Sequence, residues 1–221
     1  MNKARKRSLI PNAQIRIRYF FRQFPAAPFV LKWLLLCTIT GILIGSASAG
    51  FLWSLEWVTN LRENNRWMIA LLPVAGVAIG LLYHYYGKEA ERGNNLLIET
   101  IHQPGNIVPF RMAPLVYFGT VATHVFGGSA GREGTALQMA GAIADQFSKP
   151  LRLDANDRKL LLIGAVAAGF GSVFGTPLAG AVFALEFFWV GRIRYNALFP
   201  AFAAAIIAEQ TAAFWNAPHT H

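Results

Sequence analysis

Charge is what this 221-residue chain has least of: Asp, Glu, Lys and Arg make up only 14% of it, while 54% is hydrophobic. Soluble domains carry about a quarter charged residues, so the composition does not suit an ordinary water-facing surface. Acidic side chains are the scarcer, 11 against 20 basic ones, for a net charge of +9. A single cysteine, Cys37, lies inside an apolar stretch, which excludes disulfides and a cysteine-rich metal site. His84, His102 and His124 stand at no metal-ligand spacing from one another or from carboxylates, so neither a metal nor a cofactor is expected. A nucleophile–base pair is also missing, which argues against an enzyme.

What the chain does have is apolar runs of membrane length. They cover Phe29–Trp53, Trp67–Tyr86, Met112–Val125, Leu160–Phe174, Pro177–Val190 and Ala197–Ala213. A straight spanning helix takes roughly 20 apolar residues. The first two runs meet that length, and several later ones are shorter and interrupted by glycine or proline. Short or broken spans are tolerated only where protein or a water-filled cavity covers the exposed backbone. The expected fold class is therefore an all-α integral membrane protein with broken and tilted transmembrane helices. Its transmembrane domain is placed at 29–215, between a basic segment, 1–28, and a short tail, 216–221.

Distribution decides what the basic residues are for. Lys3, Arg5, Lys6, Arg7, Arg16, Arg18 and Arg22 precede the first span, and Lys88 and Arg92 follow the second. In the loop expected at Ser54–Arg66, Glu56 and Glu63 cancel Arg62 and Arg66. By the positive-inside rule the N-terminus is cytoplasmic and the first loop outside. This pattern is orientation in a membrane, not a nucleic-acid surface. Ile10–Phe24 mixes Ile, Tyr and Phe with Arg and reads as an amphipathic helix lying on the cytoplasmic face. Trp53, Trp57, Trp67, Tyr83, Tyr85 and Tyr86 cluster at span ends as an interfacial aromatic belt. His219 and His221 read as a disordered tail.

Glycine-rich segments break the apolar texture at Glu91–Glu99, Gly127–Thr135 and Gly169–Gly180. Glycine lets backbone approach an ion closely. The opening of a helix leaves several N–H groups without internal partners, and its dipole adds about half a positive charge. Together they bind an anion without a full positive charge that would hold it too long. Interrupted helices whose starts face mid-membrane are a recurring transporter site. Glu133 lies in the second segment, and an ionisable residue at membrane depth is a functional candidate. Beside an anion site it can compete for that site when ionised and withdraw when protonated. The bland alternative is a structural ion pair between Glu133 and Arg132, or a place for Glu133 at the water interface. A nucleotide-binding loop is excluded, because the lysine of that pattern is missing.

Gly131-Arg-Glu-Gly-Thr135 resembles the Gly-Arg/Lys-Glu-Gly-Pro signature of the CLC chloride channels and proton-coupled antiporters. Pro177-Leu-Ala-Gly180 followed by Glu186 is similar to the family's next conserved stretch, and Gly93-Asn-Asn-Leu-Leu97 occupies the place of its Gly-Ser-Gly-Ile-Pro motif. The resemblance implies a helical homodimer with one anion pathway per subunit and Glu133 as the gating, proton-coupling glutamate. The anion-binding residues it implies are Gly93, Asn94, Asn95, Leu96, Gly131, Arg132, Gly134 and Thr135, with Glu186 near the inner face.

Departures from the pattern are informative. Asn94 replaces the chloride-coordinating serine, and Leu97 and Thr135 replace two prolines. This resembles the fluoride-exporting CLC branch, where Asn or Met replaces the serine. A carboxamide offers two N–H donors where a hydroxyl offers one, which suits fluoride, a strong hydrogen-bond acceptor. Asn94 could instead cap a helix. Antiporters of the family carry paired inner glutamates, whereas this chain has Glu186-Phe187; Glu186 is then expected to be structural, hydrogen-bonding a neighbouring helix. The resemblance leads to proton-coupled fluoride export, with a chloride channel or exchanger of atypical filter, or a non-transporting fragment, as alternatives. Family subunits consist of two inverted repeats, and this chain corresponds to the first. A second repeat is required, whether from a longer chain or a separate one.

Overall fold

A computed structural model describes residues 27–88, 90–102, 107–188 and 194–219. The chain runs as α1 (Ala27–Asn64), a 3-10 segment (Arg66–Leu71) leading into α2 (Leu72–Tyr86), and a short 3-10 turn (Ala90–Arg92). Then come α3 (Asn94–His102), α4 (Met112–Val125), α5 (Arg132–Asp145), α6 (Ala155–Phe174) and α7 (Pro177–Phe187). A 3-10 turn (Tyr195–Ala197) opens α8 (Leu198–Phe214). Among the described residues there is no strand. The all-α expectation therefore holds.

Lengths sort these helices into two kinds. Among the described residues, three stretches, Ala27–Asn64, Arg66–Tyr86 and Tyr195–Phe214, are long and apolar enough to cross a membrane. At 1.5 Å per residue α1 rises about 57 Å, well beyond a hydrocarbon core of about 30 Å, so a spanning α1 tilts or extends past the hydrocarbon. By the same arithmetic α3, α5 and α7 rise only about 14, 21 and 17 Å. These are the helices that the glycine-rich segments open.

Two sequence expectations need correction or setting aside. The Ser54–Arg66 loop is mostly helix, because α1 continues to Asn64. No glycine or proline interrupts that stretch, and buried Leu52, Leu55 and Val58 extend the helical stripe into it. The proposed amphipathic helix Ile10–Phe24 lies outside the described residues.

The core is α6, whose residues from Leu160 to Val173 are almost all buried, wrapped by α1, α5, α7 and α8. Small residues set the spacing. A Cβ on Gly45 of α1 would lie 2.3 Å from the Ala208 carbonyl oxygen of α8, and one on Gly169 of α6 would lie 2.7 Å from that of Ala136 in α5. Backbones this close are the usual packing of helices in lipid, where apolar burial alone gives no preference for protein over solvent. Leu97 of α3 fills the space left by Gly141 of α5, where a Cβ would fall 2.5 Å from its Cδ2.

One polar network is buried in this apolar frame. Asp145, the last residue of α5, is 0% exposed. Its Oδ1 accepts from Arg158 Nε at 2.7 Å and Ser148 Oγ at 2.7 Å. Its Oδ2 accepts from Arg158 Nη2 at 2.6 Å and the Val108 amide at 2.7 Å. Gln146 Nε2 donates to the Val108 carbonyl at 2.9 Å. The carboxylate is thus fully subscribed, as a buried charge must be. Lys32 and Asp157 pair on the outside of the same end, joining α1 to α6.

Removing one partner of the buried pair strands the other. Asp145→Ala is expected to cost about 3–5 kcal/mol, read as a lowered unfolding temperature in detergent. Gly45→Ala should also destabilise, by pushing α1 from α8. Gly50→Ala, whose Cβ meets nothing within 4 Å, should instead leave stability unchanged or raise it by up to about 1 kcal/mol through helix propensity. Thermal melts of the pair test the contrast.

Candidate functional site

The site is assembled by two helix starts. Gly93 sits at φ +56°, a left-handed conformation that glycine adopts without strain, and α3 begins at the next residue, Asn94. Gly131 is the N-cap of α5 in an extended conformation, and Arg132, Glu133 and Gly134 form the helix's first turn. None of these three N–H groups has an acceptor within the helix. Gly134 is where the two starts meet. A Cβ there would lie 3.8 Å from Asn94 Nδ2 and 3.7 Å from Gln138 Nε2.

Asn94 is half-buried, and its Oδ1 is fully buried without a hydrogen-bond partner. It stands at the first position of α3, one residue past where a helix cap would sit. Asn95 is exposed, Leu96 half-buried, and Leu97 wholly buried beneath α5. A proline at position 97 would fill much less of the space over Gly141 than leucine does.

Glu133 projects from the first turn of α5 and is exposed on this chain. The structural pair with Arg132 raised as the alternative is not formed, and no hydrogen bond or ion pair to the Glu133 carboxylate occurs among the described residues. The two side chains point to different surroundings. Arg132 faces an open cavity of about 370 Å³ lined also by Glu56, Asn60 and His124, whereas Glu133 Oε2 turns back toward Gly131.

Thr135 is buried and accounts for its own departure from the proline pattern. Its Oγ1 pairs with Thr120 Oγ1 of α4 at 2.6 Å and donates to the Gly131 carbonyl at 3.3 Å. Proline would supply neither contact. The first turn of α5 is therefore tied to α4 directly behind Glu133. Sequence reasoning missed Thr120 and Gln138. Gln138 had a readable signal, as a polar residue within the small apolar run Ala136–Ala144.

The third glycine-rich segment makes a helix break. Gly175, at φ +66°, ends α6 in the left-handed conformation, and Pro177 starts α7. Glu186 lies at the far end of α7, exposed, with no hydrogen bond among the described residues. The expected bond to a neighbouring helix is absent because the side chain points away from the packed face formed by Gly180, Ala181, Ala184 and Leu185. His219, read as tail, instead packs on Gly175 and its Nδ1 lies 3.4 Å from the Val173 carbonyl. His221 lies outside the described residues.

Thr135→Val keeps the shape and removes the hydroxyl, leaving the Thr120 hydroxyl buried without its partner. A loss of about 1–3 kcal/mol is expected, measured by thermal unfolding, and Thr120→Val should add little to it in the double variant.

Comparison with known proteins agrees with this arrangement. Residues 75–221 match the family described as voltage gated chloride channel. The "Chloride/fluoride channel protein" of Pseudomonas syringae pv. tomato is 54% identical over 199 residues, covering 90% of this chain and 44% of the relative. The "H(+)/Cl(-) exchange transporter ClcA" of Cronobacter sakazakii is 32% identical over 170 residues, covering 69% of this chain and 36% of the relative. A crystal structure of a CLC-type fluoride/proton antiporter superposes with a TM-score of 0.81 at 34% identity, covering 85% of this chain and 48% of that one. The chain thus spans less than half the length of each of these proteins. Motifs, helix order and relatives point the same way, and the chain belongs to the voltage-gated chloride channel, or CLC, family.

Proposed function

We propose that this chain supplies one half of a proton-coupled fluoride exporter of the bacterial inner membrane. The observation that carries the reading is the meeting of two helix starts at Gly134, one presenting the Asn94 carboxamide and the other the Glu133 carboxylate. Helix starts and a neutral amide attract a small anion by hydrogen bonds and partial charge. Each such contact is worth about 0.3–2 kcal/mol, enough to bind and little enough to release. Relatives named for fluoride support the choice of ion.

In this scheme fluoride enters from the cytoplasm and meets Asn94 with the backbone amides around Gly93, Asn95 and Leu96. Ionised Glu133 occupies the outer position, beside Gly131, Arg132, Gly134 and Thr135, and blocks it. Protonation from outside removes the charge, and the side chain leaves. Anion and proton then move in opposite directions, so that the inward proton gradient drives export. Phe187 where the pattern has a second glutamate fits a route that does not use an inner carboxylate relay, and gives Glu186 no necessary role. The N-terminus is cytoplasmic, a second repeat closes the pathway, and the assembled transporter is a homodimer.

A chloride channel or exchanger is the second reading, favoured by the likeness to the chloride/proton exchanger. Ion-electrode measurements on liposomes containing the whole transporter separate the two. Fluoride should leave much faster than chloride, and equal rates would overturn the fluoride assignment. Glu133→Gln should abolish proton movement coupled to the anion; unchanged coupling would remove Glu133 from its role.

A further inference from the structure

Gln138 is a polar, half-buried side chain on α5, one turn beyond Gly134, with no hydrogen-bond partner among the described residues. Its Nε2 would lie 3.4 Å from a Cβ on Gly93 and 3.7 Å from one on Gly134. Asn94 Nδ2, from the other helix, would lie 3.8 Å from that same Gly134 position. Two carboxamide nitrogens thus flank a space that two glycines leave open. Both nitrogens belong to half-buried side chains and have no protein acceptor among the described residues, so they are available to an acceptor that enters that space.

The plainest alternative is an amide–amide bond that merely fastens α3 to α5. Such a bond would use either side-chain oxygen as acceptor, yet no hydrogen bond joins Asn94 to Gln138, and Asn94 Oδ1 is buried and unpartnered. It is the nitrogens that converge. Neither amide carries charge, so a pair of them adds donors without adding a cation that would retain the ion.

We propose that Gln138 is a second carboxamide donor of the anion site, sharing with Asn94 a small monovalent anion of high hydrogen-bond basicity over Gly134. This rests on Asn94 lining the filter. Gln138 also faces α3 where Gly93 has no side chain, so a larger residue at 93 would displace the donor.

The test measures fluoride and chloride efflux from liposomes of the whole transporter carrying Asn94→Ala, Gln138→Leu, Gln138→Glu or the first two combined. Loss of one hydrogen bond to a charged partner should lower the fluoride-to-chloride rate ratio about ten-fold or more in Gln138→Leu. Gln138→Glu keeps the shape but exchanges the NH₂ for oxygen, and should lower the ratio at least as far. The double variant should lose less than the product of the single losses, because both side chains hold one ion. If Asn94→Ala lowers the ratio while both Gln138 variants keep it, Gln138 is not a donor and the proposal falls. If the Gln138 variants slow both ions equally with the ratio intact, its role is structural and the proposal also falls. An unchanged ratio in Asn94→Ala overturns the filter assignment beneath it.

Discussion

Backbone amides at the start of a helix have no partner within that helix, and in a low-dielectric slab each must find an acceptor or face water. Much of this chain is arranged around that constraint. Where the stretches Ala27–Asn64, Arg66–Tyr86 and Tyr195–Phe214 are long, the orphan groups can reach the membrane surfaces. Where α3, α5 and α7 are short, their starts cannot all do so, and glycine or proline stands at each break. Two of those starts are packed against each other at Gly134, which concentrates unsatisfied donors in one place. Such a place suits the anion proposed for it better than it would a cation.

Close packing is what lets the starts meet. Gly141 admits Leu97, Gly169 admits the backbone of α5, and Gly45 admits that of α8. A methyl group at any of these would push apart elements that the donors require to be adjacent. Thr135 adds direction to this contact by tying the turn behind Glu133 to α4. The carboxylate itself is left without a protein partner among the described residues, so it is not locked by a salt bridge.

Much of this was legible from residue order. The apolar runs foretold the helices, with Met112–Val125 matching α4 from end to end, because length and hydropathy report directly on the cost of burying backbone in lipid. Glycine-rich segments foretold the breaks for the same reason. The Ser54–Arg66 loop was misread because charged residues at the end of a long helix look like a connection when only polarity is weighed. Thr120, Asp145 and Gln138 were not picked out, since their significance comes from neighbours 15, 37 or 45 positions away or from a glycine's missing side chain. Separation in sequence hides such pairs. Glu186 was expected to hydrogen-bond a neighbouring helix because Phe187 breaks the paired-glutamate pattern, and among the described residues it has no such bond.

The buried Asp145 network has a mechanical side. Asp145 closes the end of α5 opposite to Glu133, and through Val108 it also holds the chain that leads into α4. Arg158 and Ser148 complete the joint from α6 and the turn before it. Helix α5 is therefore a strut clamped at one end by an ion pair and tied to α4 at the other through Thr135, beside Glu133. About 21 Å of helix separates the two ends. The buried charge thus sits at the clamp, and the end proposed to meet the anion can rely on the neutral carboxamide of Asn94 and the backbone amides around it.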